Sequence, residues 1–284
     1  MFDESQVLFF DCETTGLPAK GAKWDVDYES FPHIVELAWK VGSVEESHII
    51  IPDGWTVPDE AVEIHGITTE DAQRCGVPFS YAITRFLYAA LNAPLICGHN
   101  IHFDTSIIKA NILRELGRSY YDTFEVEAAL YKGKRIDTMR AAMKWVDART
   151  QDGRLKFPNL SELYSRCFPG EDFPAHHAAE DVRAVARCLP VLVDMGLLEL
   201  KVKVYVEQTT DPGTAVAKIA ELASDAANLA ANVAKKFGAA KETQKEAQIE
   251  GIKTEGGKLP AESLKTSNTE FFGKLTDLLN QNDF

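Results

Sequence analysis

Two carboxylates two residues apart, Asp11 and Glu13, close the stretch VLFFDCETTGL. Side chains at i and i+2 of a strand share a side, so both acids should project together from the C-terminal end of an apolar strand over 6–11. Like charges that close repel, and one takes up a proton unless a cation lies between them. The chemistry on offer is divalent-metal binding, because acidic clusters hold hard cations and hard cations hold phosphates. A D-x-E pair alone is more often a solvated strand end. Here an apolar run precedes it, and Thr14-Thr15-Gly16 follows with backbone amides and a tight turn, which favours a site. Cys12, between the acids, should face the core.

Three further residues could join them. Asp104 lies in CGHNIHFDTSII, where a fourth strand should pass into a helix. By itself it reads as an N-cap or first-turn acid. In FPAHHAAEDVRAVARCL, Asp181 falls early in a long helix and His176 lies five residues before it. Five helical residues turn through about 500°. His176 and Asp181 therefore serve one site only if His176 sits in the loop ahead of the helix, which Pro174 permits. His177 and Asp181 form the competing pair, worth ~0.3–0.5 kcal/mol as a surface ion pair.

The elements that must position these residues are legible as periodicity. Apolar runs at 6–11, 33–42 and 46–52, the last two joined through KVG and EES, predict an antiparallel meander. Helical spacing predicts a helix over 80–92, and PLICGHN predicts a strand at 94–100. A helix should follow over 103–116, with Gly117 as its stop. A short strand at KRID and helices near 138–146, 159–167 and 177–195 complete the body, with Asp137 in RIDT read as structural. Meander strands followed by alternating strands and helices predict an α/β domain with a mixed sheet.

Taken together, DCETTGL, HNIHFD and HHAAED resemble the three motifs of the DEDDh 3′–5′ exonucleases of the RNase H-like superfamily. That group includes the bacterial proofreading subunit epsilon, the Trex enzymes and RNase T. The resemblance spans about residues 5–195 and implies a five-stranded mixed sheet flanked by helices. It implies that Asp11, Glu13 and Asp181 hold one divalent ion, Mg²⁺ or Mn²⁺. Asp11 would bridge to a second, with Asp104 assisting through water. Two such ions ~3.5–4 Å apart activate water and stabilise the leaving oxygen. His176 would be the general base. By the same resemblance the backbone at Thr14 and Thr15 would hold the 3′-terminal nucleotide and Leu17 would wedge against its base. His65 and Ile67, in IHGIT, are weaker substrate contacts. The loop PAKGAKWDVDYESFP is longer than the family's minimal turn, so Lys20, Lys23 and Trp24 either touch substrate or cover the surface. The doubled histidine leaves His177 to be tested beside His176.

Composition narrows the partners. The chain has 284 residues, 45% of them hydrophobic, enough for a substantial core. Its net charge of −13 argues against broad duplex binding, which needs lysine and arginine on phosphates. Metal ions at a carboxylate-rich site could still grip a short end of nucleic acid. The five cysteines include no CxxC pair, which fits reduced thiols and a cytoplasmic location. No apolar run approaches the ~20 residues of a membrane helix, and the acidic N-terminus is unlike a secretory leader.

The sequence changes character near residue 206. All cysteines, histidines, tryptophans, tyrosines and arginines precede it, and 12 acidic residues and nine lysines follow. We read 1–206 as the exonuclease domain, 207–249 as an alanine-rich helical extension, and 250–284 as a linker with a short amphipathic end. Val216, Ile219, Ala223, Ala226, Ala230, Val233 and Phe237 form a heptad-like stripe. Such an extension could dock on a polymerase, a clamp or a second copy, or fold back on the body. The leading expectation is a metal-dependent exonuclease that releases 5′-mononucleotides from 3′ ends, single-stranded DNA before RNA. The alternatives are an exoribonuclease of the RNase T type and a non-catalytic nucleic-acid-binding scaffold.

Overall fold

The computed structural model describes residues 3–131 and 135–200. The alanine-rich helix, linker and amphipathic end expected after residue 206 lie outside the described residues.

Five strands form one sheet: β1 (Val7–Thr14), β2 (Ile34–Val41), β3 (Val44–Ile49), β4 (Leu95–Gly98) and β5 (Arg135–Asp137). Their order is β3-β2-β1-β4-β5. The meander is antiparallel, while β1–β4 and β4–β5 are parallel. This is a mixed five-stranded sheet flanked by helices, as the motif resemblance implies. Val41 pairs with Val44, so a two-residue turn joins β2 to β3. Gly42 takes φ +53 there, which suits glycine in a tight hairpin.

The helices are α1 (Asp59–His65), α2 (Thr69–Cys75), α3 (Phe79–Asn92), α4 (Ile101–Thr123), α5 (Val126–Ala129), α6 (Thr138–Val146), α7 (Leu160–Cys167) and α8 (Ala178–Asp194). The long helices cover both sheet faces, and the parity of β1 shows how. Val7 and Phe9 pack with Val182, Val185 and Leu189 of α8. Leu8, Phe10 and Cys12 point the other way, into a larger cluster with Phe86 of α3 and Ile107 and Ile108 of α4. Phe10, Trp39 and Phe86 meet at ring-centroid distances of 5.1 and 5.8 Å. Each fully buried large side chain contributes about 1.5–3 kcal/mol.

One expectation changes. β1 runs to Thr14, past the end of its apolar stretch. It stays paired with β2 through Asp11↔Ala38, Cys12↔Leu37 and Glu13↔Glu36, and the register shifts after Glu13. The two acids therefore sit within a strand, not beyond one, because ladder hydrogen bonds need no apolar side chains. The expected stop at Gly117 is met: its backbone (φ 79°, ψ 173°) is not helical, so α4 is two helical stretches, 101–116 and 118–123, joined across a kink. The seven-residue helices α1 and α2 and the four-residue α5 went unread, being too short to show periodicity. Among the described residues, no helix is long and apolar enough to cross a membrane.

Candidate active site

Because β1 alternates, Asp11 and Glu13 share the face on which Val7 and Phe9 meet α8. The packing of Val182 and Val185 on that face brings the first turn of α8 over the acids. Asp181 lies in that turn. One carboxylate oxygen from each of Asp11, Glu13 and Asp181 lies within 4.8 Å of the others.

Asp104 reaches the same strand from the opposite layer. It sits in the first turn of α4, is 2% exposed, and accepts the Cys12 N–H at 3.3 Å. Cys12 is buried, as its parity requires. The start of α4 is fixed by Asn100, whose backbone (φ 69°) is left-handed and whose N–H donates to Asp137 Oδ1 at 3.3 Å. Asp137 also caps α6 by accepting the Arg140 N–H at 3.2 Å, so its structural reading holds. The acids gather at the carboxyl ends of parallel strands, where open α/β sheets place their ligand sites.

Burial and mutual repulsion dominate the electrostatics. Burial, then the charges of Asp104, Asp181, Glu13 and Glu36, holds the Asp11 carboxyl well above the usual range. Glu13 is pushed up to about 8 by burial and by Asp181, Glu36 and Asp104. Burial raises Asp104 to about 7 against the hydrogen bonds from Cys12. Asp181 rises to about 6 through burial, moderated by the His176 N–H and by His177. A cluster that retains protons near neutral pH is short of positive charge, and a divalent cation supplies it. The donor set is all carboxylate oxygen, which suits hard ions such as Mg²⁺ or Mn²⁺.

The histidine doublet falls at the junction of loop and helix. His176 is exposed, in the loop ahead of α8, with φ 70°. Its N–H donates to Asp181 Oδ1 at 3.4 Å, so the acid reaches back to the backbone of the loop. His177 is the N-cap residue of α8. Its ring approaches Gly66, where a Cβ would lie 4.0 Å from Cε1.

The residues expected to seat a nucleotide divide into two groups. Leu17 stands 83% exposed, and Thr14 and Thr15 are half-buried beside it. The Thr15 N–H already donates to His33 O at 2.9 Å, so contact with a ligand there falls to other atoms. His65 and Ile67 are instead buried. Ile67 packs with Val35, Val57, Ala61 and Ala72. His65 Nδ1 accepts the Ile67 N–H at 3.1 Å, and burial lowers its pKa. The exposed large apolar side chain of this segment is Ile64, which sequence reading passed over.

In the long loop, Trp24 stacks on Tyr121 at 6.1 Å, and Lys109 Nζ lies 4.7 Å from the Trp24 ring. This anchors the loop beside a cleft of about 400 Å³ lined by Pro18, Lys23, Asn100, His102 and Phe103.

Glu36 also went unread. It lies opposite Glu13 in the β1–β2 ladder and is 7% exposed. An acid inside the apolar run HIVELAWKVG is a signal that could have found it.

A family model described as Exonuclease (RNase_T) matches residues 8–189, more than half of the chain. No curated protein matches the sequence. Similar solved structures include Escherichia coli exonuclease I in complex with a dA16 oligonucleotide. It is 22% identical, with 66% of this chain and 42% of that chain covered and a TM-score of 0.49. Exonuclease I from Methylocaldum szegediense is 18% identical, with 66% and 42% covered and a TM-score of 0.48. The zinc-bound E. coli exonuclease I–single-stranded DNA complex is 20% identical, with 68% and 43% covered and a TM-score of 0.48. The matched region spans less than half the length of these structures. With its three acid motifs gathered at the end of β1 and the family match running from β1 into α8, this chain belongs to the DEDDh-type 3′–5′ exonuclease family.

Proposed function

We propose that the protein is a divalent-metal-dependent 3′–5′ exonuclease that removes 5′-mononucleotides from single-stranded DNA ends. The observation that carries this reading is the convergence of Asp11, Glu13 and Asp181 within 4.8 Å, with Asp104 bonded to the same strand from the other layer. Asp11, Glu13 and Asp181 would hold the metal, and Asp104 would assist from the α4 side. Bound divalent ions, two in this proposal, would supply charge neutralisation and an activated water. An imidazole nitrogen of His176 takes the proton of the attacking water, whose oxygen bonds to phosphorus as the bond to the 3′ oxygen of the preceding nucleotide breaks. Exposed Leu17 wedges against the terminal base, and the Thr14–Thr15 segment, apart from the Thr15 N–H already donated to His33 O, positions its sugar. His65 and Ile67 shape the seat from behind. DNA before RNA follows from the sequence reading, in which the extension after residue 206 suggests a replication or repair partner.

The test is digestion of 5′-labelled single strands of DNA and RNA with Mg²⁺ or Mn²⁺, with and without EDTA. The expected result is a ladder that shortens from the 3′ end, faster on DNA, and no ladder in EDTA. Faster cutting of RNA would move the assignment to an exoribonuclease. Digestion in EDTA would reject metal dependence, and no digestion of either strand would leave the scaffold reading.

A further inference from the structure

Glu36 is the acid around the site to which the exonuclease motifs give no task. It lies in β2, whose neighbouring residues Val35 and Leu37 are fully buried. A carboxylate so placed needs hydrogen-bonding partners to offset its desolvation. The Ser47 hydroxyl donates to Oε1, and the Ala178 N–H donates to Oε2 at 3.1 Å. Ala178 is the first residue of α8, so its N–H is one of the four amides that a helix start leaves without an intrahelical acceptor. A carboxylate there also opposes the positive end of the helix dipole.

The place of this bond matters. Glu36 faces the same side as its ladder partner Glu13. The residue it binds stands next to His177, two from His176 and three from Asp181. The Asp181 N–H in turn donates to His177 O at 3.0 Å, and the His176 N–H donates to Asp181 Oδ1. One contact thus ties β2, beside Glu13, to the turn that carries the histidines and the third acid. The His177 side chain makes no capping hydrogen bond of its own.

We infer that Glu36 is a positioning residue, one that sets where the first turn of α8 lands on β1, and so where Asp181 and His176 stand relative to Asp11 and Glu13. The inference rests on the exonuclease reading for its kinetic consequence but not for its structural one. Displacements of about 1 Å in such a site cost roughly 10²-fold in rate.

The test compares Glu36→Ala with Glu36→Gln in the full chain. Gln keeps an acceptor for the Ala178 N–H and can donate to Ser47 Oγ, so it preserves position without charge. Glu36→Ala should lose roughly 10²-fold in kcat with KM within about threefold, and Glu36→Gln should recover most of that loss. Amide hydrogen exchange supplies a readout independent of activity. The Ala178 amide should lose at least ~10-fold in protection in Glu36→Ala and keep it in Glu36→Gln. Were Glu36→Ala too unstable to measure, Glu36→Gln alone would decide: kcat near wild type with protection kept supports positioning. A Glu36→Gln variant with protection kept but kcat as low as that expected for Glu36→Ala overturns it, because charge is then what matters. Unchanged protection at Ala178 in Glu36→Ala also overturns it. If the wild-type protein digests neither strand while the exchange pattern holds, the exonuclease reading fails and the structural role of Glu36 survives.

Discussion

The two faces of the sheet deliver acids to one strand end in different ways. On the α4 side, Asp104 is 2% exposed, bonded to the Cys12 N–H, and backed by the larger apolar cluster. On the α8 side, Asp181 is half-buried, His176 is exposed, and a loop with left-handed backbone at His176 leads into the helix. One face supplies a fixed carboxylate whose position was settled with the core. On the proposed reading, the other supplies the groups that meet solvent and move a proton. Burial costs a charged acid but fixes its geometry, whereas exposure leaves a histidine free to exchange protons with water.

The comparison can be tested from each side. The larger effect is expected on the exposed face. His176→Asn, which tolerates φ 70°, should lose roughly 10²–10⁴-fold in kcat with little change in Tm, because the residue is exposed. His177→Ala should retain most activity. An inactive His177→Ala beside a normal His176→Asn would reverse the assignment of the base. On the buried face, Asp104→Asn keeps an acceptor for the Cys12 N–H and removes a charge that pushes on Asp11. Its activity should fall roughly 10²-fold while Tm in EDTA at pH 8 stays level or rises by a few degrees. A large fall in Tm would mean that the charge of Asp104 holds the fold together, contrary to the contrast drawn between the faces.

How much of this was legible depended on the length over which each signal ran. The apolar runs of β1, β2 and β4 and the long periods of α3, α4 and α8 could be read because many residues repeat one pattern. So could the parity that buries Cys12 and turns Asp11 and Glu13 together. The seven-residue α1 and α2 gave too few repeats, although Thr68, whose side chain caps Asp71 N–H, marks the start of α2. The end of β1 was misread because hydropathy stops at Asp11 while backbone pairing continues to Thr14. The burial of Ile67, a weaker substrate-contact candidate, could not be read, because a motif cannot tell that it packs with Val35, Val57 and Ala72. Glu36 was hidden for the opposite reason: its polar partners, Ser47 and Ala178, lie 11 and 142 residues away.

On the proposed reading, the carboxylates of Asp11, Glu13 and Asp181, with Asp104 behind them, form a divalent-cation site. In the folded protein Glu13, Asp104 and Asp181 titrate near 8, 7 and 6, above the ~4 of unfolded carboxyls. Their contribution to stability is therefore full below about pH 4 and is lost as pH rises through 6 to 8. A cation that binds the ionised forms restores it, most strongly where they are ionised. The direct measurement is thermal unfolding of EDTA-treated protein at pH 5 and pH 8, with and without Mn²⁺, for wild type and Asp11→Ala. At saturating Mn²⁺ the wild-type Tm should rise by roughly 5–10 °C at pH 8, by clearly less at pH 5, and by little at either pH in Asp11→Ala. Equal shifts in wild type and Asp11→Ala, or no shift at pH 8, would contradict the account.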